Sequence, residues 1–324
     1  MSDERAGGRL EVFAPDGVPE VRAGDDLAAL VGPLVDLLDG DVVVVTSKVV
    51  SKAEGRVRPG TRDEALPAET VRVVARRGAT TIVRNRLGLT MAAAGIDASN
   101  VASGHVVLLP EDPDRSARRL RAALLGRTGR NVGVVVTDTA GRAWREGQTD
   151  IAVGAAGLVV LEDFAGRRDR HGNELAVTAP AVADEIAGLA ELATGKLGAR
   201  PFAVVRGRED LVLPAGEDGP GAAALVRREG GDLFGYGARE AVVRALRGDP
   251  VDRPPFGAPA TAGEMAAAVT AVLGAAPVSV DADSPTEALL APTAAHPRLL
   301  AALAFAHGWA PDSADPHLLR PATP

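Results

Sequence analysis

Two valine-rich runs constrain the fold of this chain more than any other feature. The first covers residues 41–46 and the second covers residues 131–136. Because apolar positions do not alternate with polar ones, both runs are predicted to be strands buried on both faces of a sheet. Polar side chains follow, with Ser47 after the first run and Asp138 and Thr139 soon after the second. A carboxylate at the end of a buried strand is held rigidly and is well placed to bind a hard cation.

The order of the other elements favours an α+β fold with mixed or antiparallel sheets. Strand-like segments at 80–83, 106–109 and 203–207 are interspersed with helical patterns at 116–125 and 181–192. They do not follow the regular period of a parallel βαβ repeat, and no glycine-rich phosphate loop of the common types is present. Residues 69–77 are predicted to be a further helix and residues 48–58 a polar turn.

Composition narrows the classes of function. The chain has 324 residues, 46% of them hydrophobic, so a substantial core can form. The net charge is −7, and no basic stripe with interleaved aromatic residues occurs, which argues against a nucleic-acid partner. Cysteine is absent, which excludes thiolate nucleophiles and zinc–thiolate sites. We see no apolar leader and no run of about 18 apolar residues, so we expect a cytoplasmic protein with no membrane partner.

A proline-rich segment divides the chain. It covers residues 248–263 and contains four prolines, which is typical of a linker. We predict that residues 1–247 form the principal domain. Residues 264–324 are predicted to form a small accessory segment that is partly disordered, with fraying around Pro311 and Pro321.

Two polar segments admit both a functional and a structural interpretation. Ser47, Lys48 and Lys52 could bind phosphate groups, but a solvated polar turn would explain the same residues. Asp97 could ligate a metal and Asn100 could contact a nucleotide, but Asp, Ser and Asn also form local turns with nearby backbone groups.

Asp138 and Thr139 are the stronger metal candidates, because they lie at the end of a strand. Mg²⁺ and Mn²⁺ take oxygen ligands and keep several waters, so one or two carboxylates together with substrate phosphates would be enough. Asp97 and Asp138 would share one ion if the fold brings them together.

Taken together, these segments resemble the coenzyme F420-0:L-glutamate ligase family over roughly residues 9–247. Several motifs in family order are more specific than any one of them. The matching stretches are residues 24–27, 51–56, 94–101, 109–110, 112–114, 137–142, 182–187 and 203–207.

The resemblance implies an enzyme that forms an amide bond with GTP as co-substrate. In this family a carboxylate of coenzyme F420-0 is activated as an acyl phosphate, and the amine of L-glutamate then attacks it. Further glutamates are added through the gamma-carboxyl group. The resemblance also implies an α+β fold with intertwined sheets in a homodimer. The cofactors it implies are Mg²⁺ or Mn²⁺, with K⁺ as an optional further ion.

Site residues are carried over from the resemblance position by position. The metal ligands it implies are Asp97, Asp138 and Thr139. The GTP-contacting set it implies is Pro19, Glu20, Val21, Arg22, Ser47, Lys48, Lys52 and Asn100. Within these sets, Asp97, Asp138 and Lys52 are the predicted catalytic residues, with Lys52 contacting a phosphate.

The chain departs from the family pattern in two places. Some members carry Gly-Glu after the long helix, where the glutamate helps to hold a second metal, whereas this chain has Gly195-Lys196. Either a second ion uses other ligands or Lys196 replaces part of its charge. The roughly sixty residues after the linker are too few for the flavin-reductase-like domain of some relatives, so no FMN is expected.

Two alternatives to this function stay open on sequence grounds. One is another NTP-dependent amide ligase on the same scaffold, with a different acceptor pocket. The other is a non-catalytic nucleotide-binding protein.

Overall fold

The computed structural model describes residues 8–228, 231–232, 234–280 and 288–322. The chain divides into two compact units, one of residues 1–73 and 80–226 and the other of residues 74–79 and 227–324. The first unit thus ends about twenty residues before the domain boundary drawn from the sequence. Residues 1–7, 229–230 and 233 of the predicted principal domain, and residues 281–287 and 323–324 of the accessory segment, lie outside the described residues.

The first unit contains ten strands and five helices among its described residues. Its strands are β1 (Glu11–Phe13), β2 (Val42–Thr46), β3 (Val57–Pro59), β4 (Thr70–Arg77, whose last residues belong to the second unit), β5 (Thr80–Asn85), β6 (Thr90–Ala92), β7 (His105–Val107), β8 (Gly133–Arg142), β9 (Arg145–Ala156) and β10 (Phe202–Arg206). Its helices are α1 (Leu27–Val31), α2 (Ser47–Ala53), α3 (Arg62–Glu69), α4 (Pro113–Thr128) and α5 (Val182–Thr194).

A five-stranded mixed sheet forms the centre of the first unit, in the order β1-β10-β2-β8-β9. The two valine strands, β2 and β8, are adjacent and parallel, and Thr46 is in register with Thr137. The other neighbours in this sheet are antiparallel. The α+β class and the mixed sheets predicted from the sequence are therefore confirmed.

Both faces of the central sheet are covered, which explains why the valine runs of β2 and β8 are apolar at consecutive positions. Val43, Val45 and Val134 pack on one face with Leu120 and Leu124 of α4. Val42, Val44, Val135 and Ala203 pack on the other face, where Ala183, Ile186 and Ala190 of α5 cover them. Alternate residues of one strand thus enter two different cores. The side chains at the strand ends are therefore held by a rigid three-layer arrangement.

Asp114, which belongs to one of the motifs, has a structural role in this arrangement. Its carboxylate accepts hydrogen bonds from the main-chain N–H groups of Ala155, Ala222 and Ala223. It thereby ties the first turn of α4 to the end of β9. The neighbouring Asp112 caps α4 by accepting from Arg115 N, and Pro113 occupies the first helical position.

Two local predictions are wrong. Residues 70–77 form strand β4 and not a helix, because the β-branched Val71, Val73 and Val74 favour an extended backbone. The segment after β2 is helix α2 rather than a polar turn, since Val49 and Val50 anchor it in the core.

The second unit has its own core. Its helices are α6 (Ala238–Arg247), α7 (Ala262–Leu273) and α8 (Pro297–Ala306). Its strands are β11 (Val278–Val280), β12 (Ala288–Leu290), β13 (Trp309–Pro311) and β14 (Leu318–Pro321), which form an antiparallel sheet in the order β11-β12-β14-β13. Met265, Leu300, Trp309 and Leu319 are fully buried in its core. Pro311 and Pro321, placed in a fraying tail by the sequence, therefore lie in paired strands.

Among the described residues, no helix combines the length and the apolar character needed to cross a membrane.

Candidate active site

The two parallel valine strands deliver Ser47 and Asp138 to the same edge of the sheet. Thr46 and Thr137 are paired at the ends of the parallel ladder, and Ser47 and Asp138 are the residues that follow them in the chain. Ser47 Oγ donates a hydrogen bond to Asp138 Oδ1 at 3.0 Å. The parallel register therefore explains why residues 91 positions apart in the chain are in contact.

The next residue of α2 binds the second acid of the predicted site. Lys48 Nζ lies 2.7 Å from Asp97 Oδ2 and donates to Ser99 Oγ at 2.6 Å. Asp97 also accepts from Ser99 N, so the local turn anticipated from the sequence does form. Main-chain hydrogen bonds in both directions between Asp97 and Val107 fix its backbone. The turn and the ion pair thus coexist, and the turn presents Asp97 to α2.

The two acids differ in electrostatic environment. Burial raises the pKa of Asp138 to about 7, and the charges of Asp150 and Asp97 add to this effect, although the Ser47 hydrogen bond opposes it. Burial also acts to raise the pKa of Asp97. The hydrogen bonds from Lys48 and Ser99, together with the charge of Lys48, outweigh burial and lower this pKa to about 2. Asp138 and Asp97 are thus close enough for their charges to interact. Lys48 pairs with Asp97, whereas no ion pair to Asp138 is seen among the described residues.

Asp150 is a further acid of this cluster, which the sequence analysis did not select. It is buried on β9, in register with Thr139 of β8. Its carboxylate accepts from Thr137 Oγ1 at 3.0 Å and from Thr139 Oγ1 at 2.7 Å. The available signal was the tight return of the chain after Arg142, since a hairpin there pairs Asp150 with the Thr-Asp-Thr segment.

Lys196 lies beside the same acids. Gly195 ends α5 with a φ of 62°, and Lys196 follows it. Its Nζ lies 2.6 Å from Glu191 Oε1, 2.9 Å from Thr139 Oγ1 and 3.5 Å from Asp150 Oδ1. Burial acts to lower the pKa of Lys196, but the hydrogen bond to Glu191 and the charges of Asp150 and Glu191 outweigh it and raise the pKa.

Part of the predicted GTP-contacting set lies along α2. Lys52 is buried and pairs with Glu20, which is exposed, at an Nζ–Oε1 distance of 2.5 Å. Lys48 and Lys52 are four residues apart and therefore lie on one face of the helix. Gly24 N donates to Ala53 O at 2.8 Å, which holds the loop that begins at Pro19 against the end of α2.

The remaining members of the predicted set differ in exposure. Pro19 and Arg22 are exposed, whereas Val21 is buried in the core and can offer only its main chain to a ligand. Asn100 is exposed and adopts a φ of 54°, in the same turn as Ser99.

The donor set at this edge fits a hard divalent cation with incomplete protein ligation. Asp138 is a partly desolvated carboxylate whose charge is opposed by two neighbouring acids, and a cation would relieve that repulsion. In the segments that the structure describes, no three His, Asp or Glu side chains gather closely enough to hold a metal on their own. Substrate phosphates and waters would therefore have to complete the coordination, as is usual for Mg²⁺.

At the end of strand β8 of this α+β fold, a cluster of acids lies next to the lysines of the short helix α2. The family model described as F420-0:Gamma-glutamyl ligase matches residues 17–207, which include every residue of this cluster. The chain therefore belongs to the F420-0:gamma-glutamyl ligase family, as the sequence motifs predicted. Membership supports a gamma-glutamyl ligase activity in F420 biosynthesis.

Curated relatives agree with the family model. The coenzyme F420:L-glutamate ligase of Archaeoglobus fulgidus is 43% identical, over an alignment covering 61% of this chain and 88% of the relative. The enzyme of the same name from Halobacterium salinarum is 40% identical, with 74% of this chain and 94% of the relative covered. That of Methanopyrus kandleri is 40% identical, with 70% and 99% covered.

Proposed function

We propose that this protein joins L-glutamate to coenzyme F420-0 by an amide bond, using GTP and an acyl-phosphate intermediate, and then adds further gamma-linked glutamates. The observation that carries this proposal is the convergence of Asp138 and Asp97 on the adjacent residues Ser47 and Lys48 of α2, the helix that also carries Lys52. Phosphoryl transfer needs aligned reactants and neutralised charge more than it needs a protein nucleophile.

The lysines of α2 suit the phosphate side of this reaction. Lys52 is buried, whereas its partner Glu20 is exposed and would remain solvated if it moved away, so a phosphate oxygen could take its place beside the Lys52 charge. The Lys52 ammonium group can therefore exchange Glu20 for a phosphate oxygen when a nucleotide binds. Lys48 stays paired with Asp97, which keeps that acid ionised.

The acids suit the cation side. Asp138, Asp97 and the Thr139 hydroxyl are the groups that would hold Mg²⁺ or Mn²⁺. Such an ion supplies charge neutralisation between phosphates and the acceptor carboxylate when it is bound. Ser47 orients the Asp138 carboxylate through its hydrogen bond, and Asp150 fixes the Thr139 hydroxyl.

The proposed chemistry has two steps. An acceptor carboxylate oxygen attacks the γ-phosphorus of GTP, and the bond to the β-γ bridging oxygen breaks to release GDP. The free amine of glutamate then attacks the acyl carbon, a C–N bond forms, phosphate leaves and the amine releases a proton. The chain has no cysteine, and the Ser47 hydroxyl has a positioning role in this scheme, in which it donates a hydrogen bond to Asp138.

Mass spectrometry of a defined reaction tests the proposal. The purified protein is incubated with F420-0, L-glutamate, GTP and Mn²⁺, with ATP in place of GTP and Asp138→Asn protein as controls. We expect glutamylated F420 and GDP in equal amounts for the first glutamate, and no product from the variant. With ¹⁸O in the acceptor carboxylate, one ¹⁸O should appear in the released phosphate, because the acyl phosphate transfers that oxygen.

The same reactions discriminate the alternatives. Ligation of another acid, with F420-0 left unchanged, would identify a different amide ligase on this scaffold. Nucleotide binding without any product would identify a non-catalytic protein. If glutamylated product forms but the released phosphate carries no ¹⁸O, the acyl-phosphate intermediate is excluded and the ligase activity stands. The homodimer is part of the proposal and is tested by light scattering at several concentrations.

A further inference from the structure

Lysine is rare in this chain and is confined to one place. Lys48, Lys52 and Lys196 are the only lysines among 36 basic residues, and the others are arginines. Lys48 pairs with Asp97 and Lys52 pairs with Glu20, both at the candidate active site. Lys196 also lies there, and although its departure from the family pattern suggested that it could replace part of a second ion's charge, the proposed reaction gives it no role.

The Lys196 ammonium group occupies a point between oxygen atoms from three elements. Glu191 belongs to α5, Thr139 to β8 and Asp150 to β9, and all three lie within 3.5 Å of Nζ. Two carboxylates and a hydroxyl around one point also form a donor set for a hard divalent ion. The lysine therefore holds a position that a metal ion could hold.

We propose that Lys196 is a protein-supplied cation of the active site, which neutralises Asp150 and restricts the acid cluster to a single divalent ion. The inference rests on the proposed metal site at Asp138 and Asp97. Lys196 acts as a positioning residue, because it holds Thr139 and Asp150 in place rather than contacting the reacting atoms.

The choice of lysine over arginine fits this role. An ammonium group is a compact point charge, whereas a guanidinium is a planar fork that prefers two parallel hydrogen bonds. Elsewhere the chain uses arginine for such forks, as where Arg206 binds both carboxylate oxygens of the buried Asp41. Three donors of one ammonium group can instead be shared among Glu191, Thr139 and Asp150.

Manganese titration of the full-length protein tests the inference. Binding is measured by calorimetry and by the electron paramagnetic resonance of free Mn²⁺, with and without GDP. We expect one ion per chain for the wild type and two for Lys196→Met, because Asp150 and Glu191 are then left without a cation. Lys196→Arg keeps the charge and should bind one ion. The Lys196 side chain is 60% exposed, so none of these variants should unfold.

The possible results separate the inference from the proposed function. If Lys196→Met binds one ion, the inference is overturned and the metal site stands. This holds even if the ion binds more tightly, because Lys196 would then only compete with that ion and would not occupy a second site. No ion in the wild type, even with GDP present, overturns both. Lys196→Gln is a second neutral variant, and circular dichroism verifies that each variant is folded.

Discussion

Asp138 should lower the stability of the metal-free protein at neutral pH, and Asp138→Asn should remove that cost. The carboxyl group has its pKa raised from 3.8 to about 7 by burial and by the charges of Asp150 and Asp97. Between these two pH values the folded state binds more protons than the unfolded state. Stability is therefore full below about pH 4 and falls as the pH rises through 7.

The size of the effect follows from the same difference. Each pKa unit corresponds to 1.36 kcal/mol. The rise in the Asp138 pKa from 3.8 to about 7 therefore corresponds to a loss of about 4 kcal/mol in the free energy of unfolding at pH 8. Asp138 retains some contact with water, which screens its charge, so this value is an upper limit. In a unit of this size each kcal/mol shifts the melting temperature by about 2–4 °C. Asparagine can still accept the Ser47 hydrogen bond, so the fold should persist.

The assay is urea and thermal unfolding of wild type and Asp138→Asn between pH 4 and pH 8 in the presence of a chelator. We expect equal stability at pH 4 and a variant more stable by up to about 4 kcal/mol at pH 8, although it is inactive. Mn²⁺ should stabilise only the wild type. Asp36→Asn, at an exposed position, is the matched control and should show no such pH dependence.

One result would refute this reasoning. If the wild type is as stable as the variant at pH 8 without metal, Asp138 carries no unfavourable charge, and the argument that a cation belongs there loses its basis.

Three other outcomes are expected. Lys52→Met should weaken GTP binding at least tenfold in calorimetry, because a phosphate contact is lost. The melting temperature should hardly change, because the partner left behind, Glu20, is exposed. An unaltered affinity for GTP would exclude Lys52 from the phosphate site. Arg121→Ala should lower the free energy of unfolding in urea by about 3 kcal/mol or more, because the buried guanidinium donates hydrogen bonds to the carbonyl oxygens of Val132 and Leu213. A loss of less than about 1 kcal/mol would contradict this expectation. Chelation should abolish product formation and added Mn²⁺ should restore it, with retained activity in chelator excluding a required divalent ion.

The sequence predicted the parts of the fold that depend on local pattern. The valine runs could only be buried strands, and α4 follows from the Asp112 cap, Pro113 and a helical apolar repeat. The pattern of residues 70–77 is ambiguous, because Val71, Val74 and Ala75 fit a helical face while β-branched residues favour a strand. Helix α2 is short, and its form depends on the core that Val49 and Val50 enter.

The candidate site was predictable only in part. Asp97 and Asp138 were selected by motif, but their approach depends on the parallel register of β2 with β8, which no local pattern encodes. Asp150 becomes visible only when the β8–β9 hairpin is drawn. The sequence singled out Lys196 as a departure from the family pattern, but its contact with Thr139 is seen only when α5 is placed on the sheet. Long-range packing, rather than residue type, decides these contacts.

The restriction of lysine to the acid cluster has a practical consequence for handling this protein. Among the lysines, Lys196 should be the one that amine-acylating reagents such as succinimidyl esters reach most readily, since its side chain is the most exposed of the three. Biotinylation, dye coupling or immobilisation through lysine should therefore perturb the acid cluster rather than a remote part of the surface. Because the chain has no cysteine, a single cysteine introduced on the surface gives maleimide chemistry one unambiguous target.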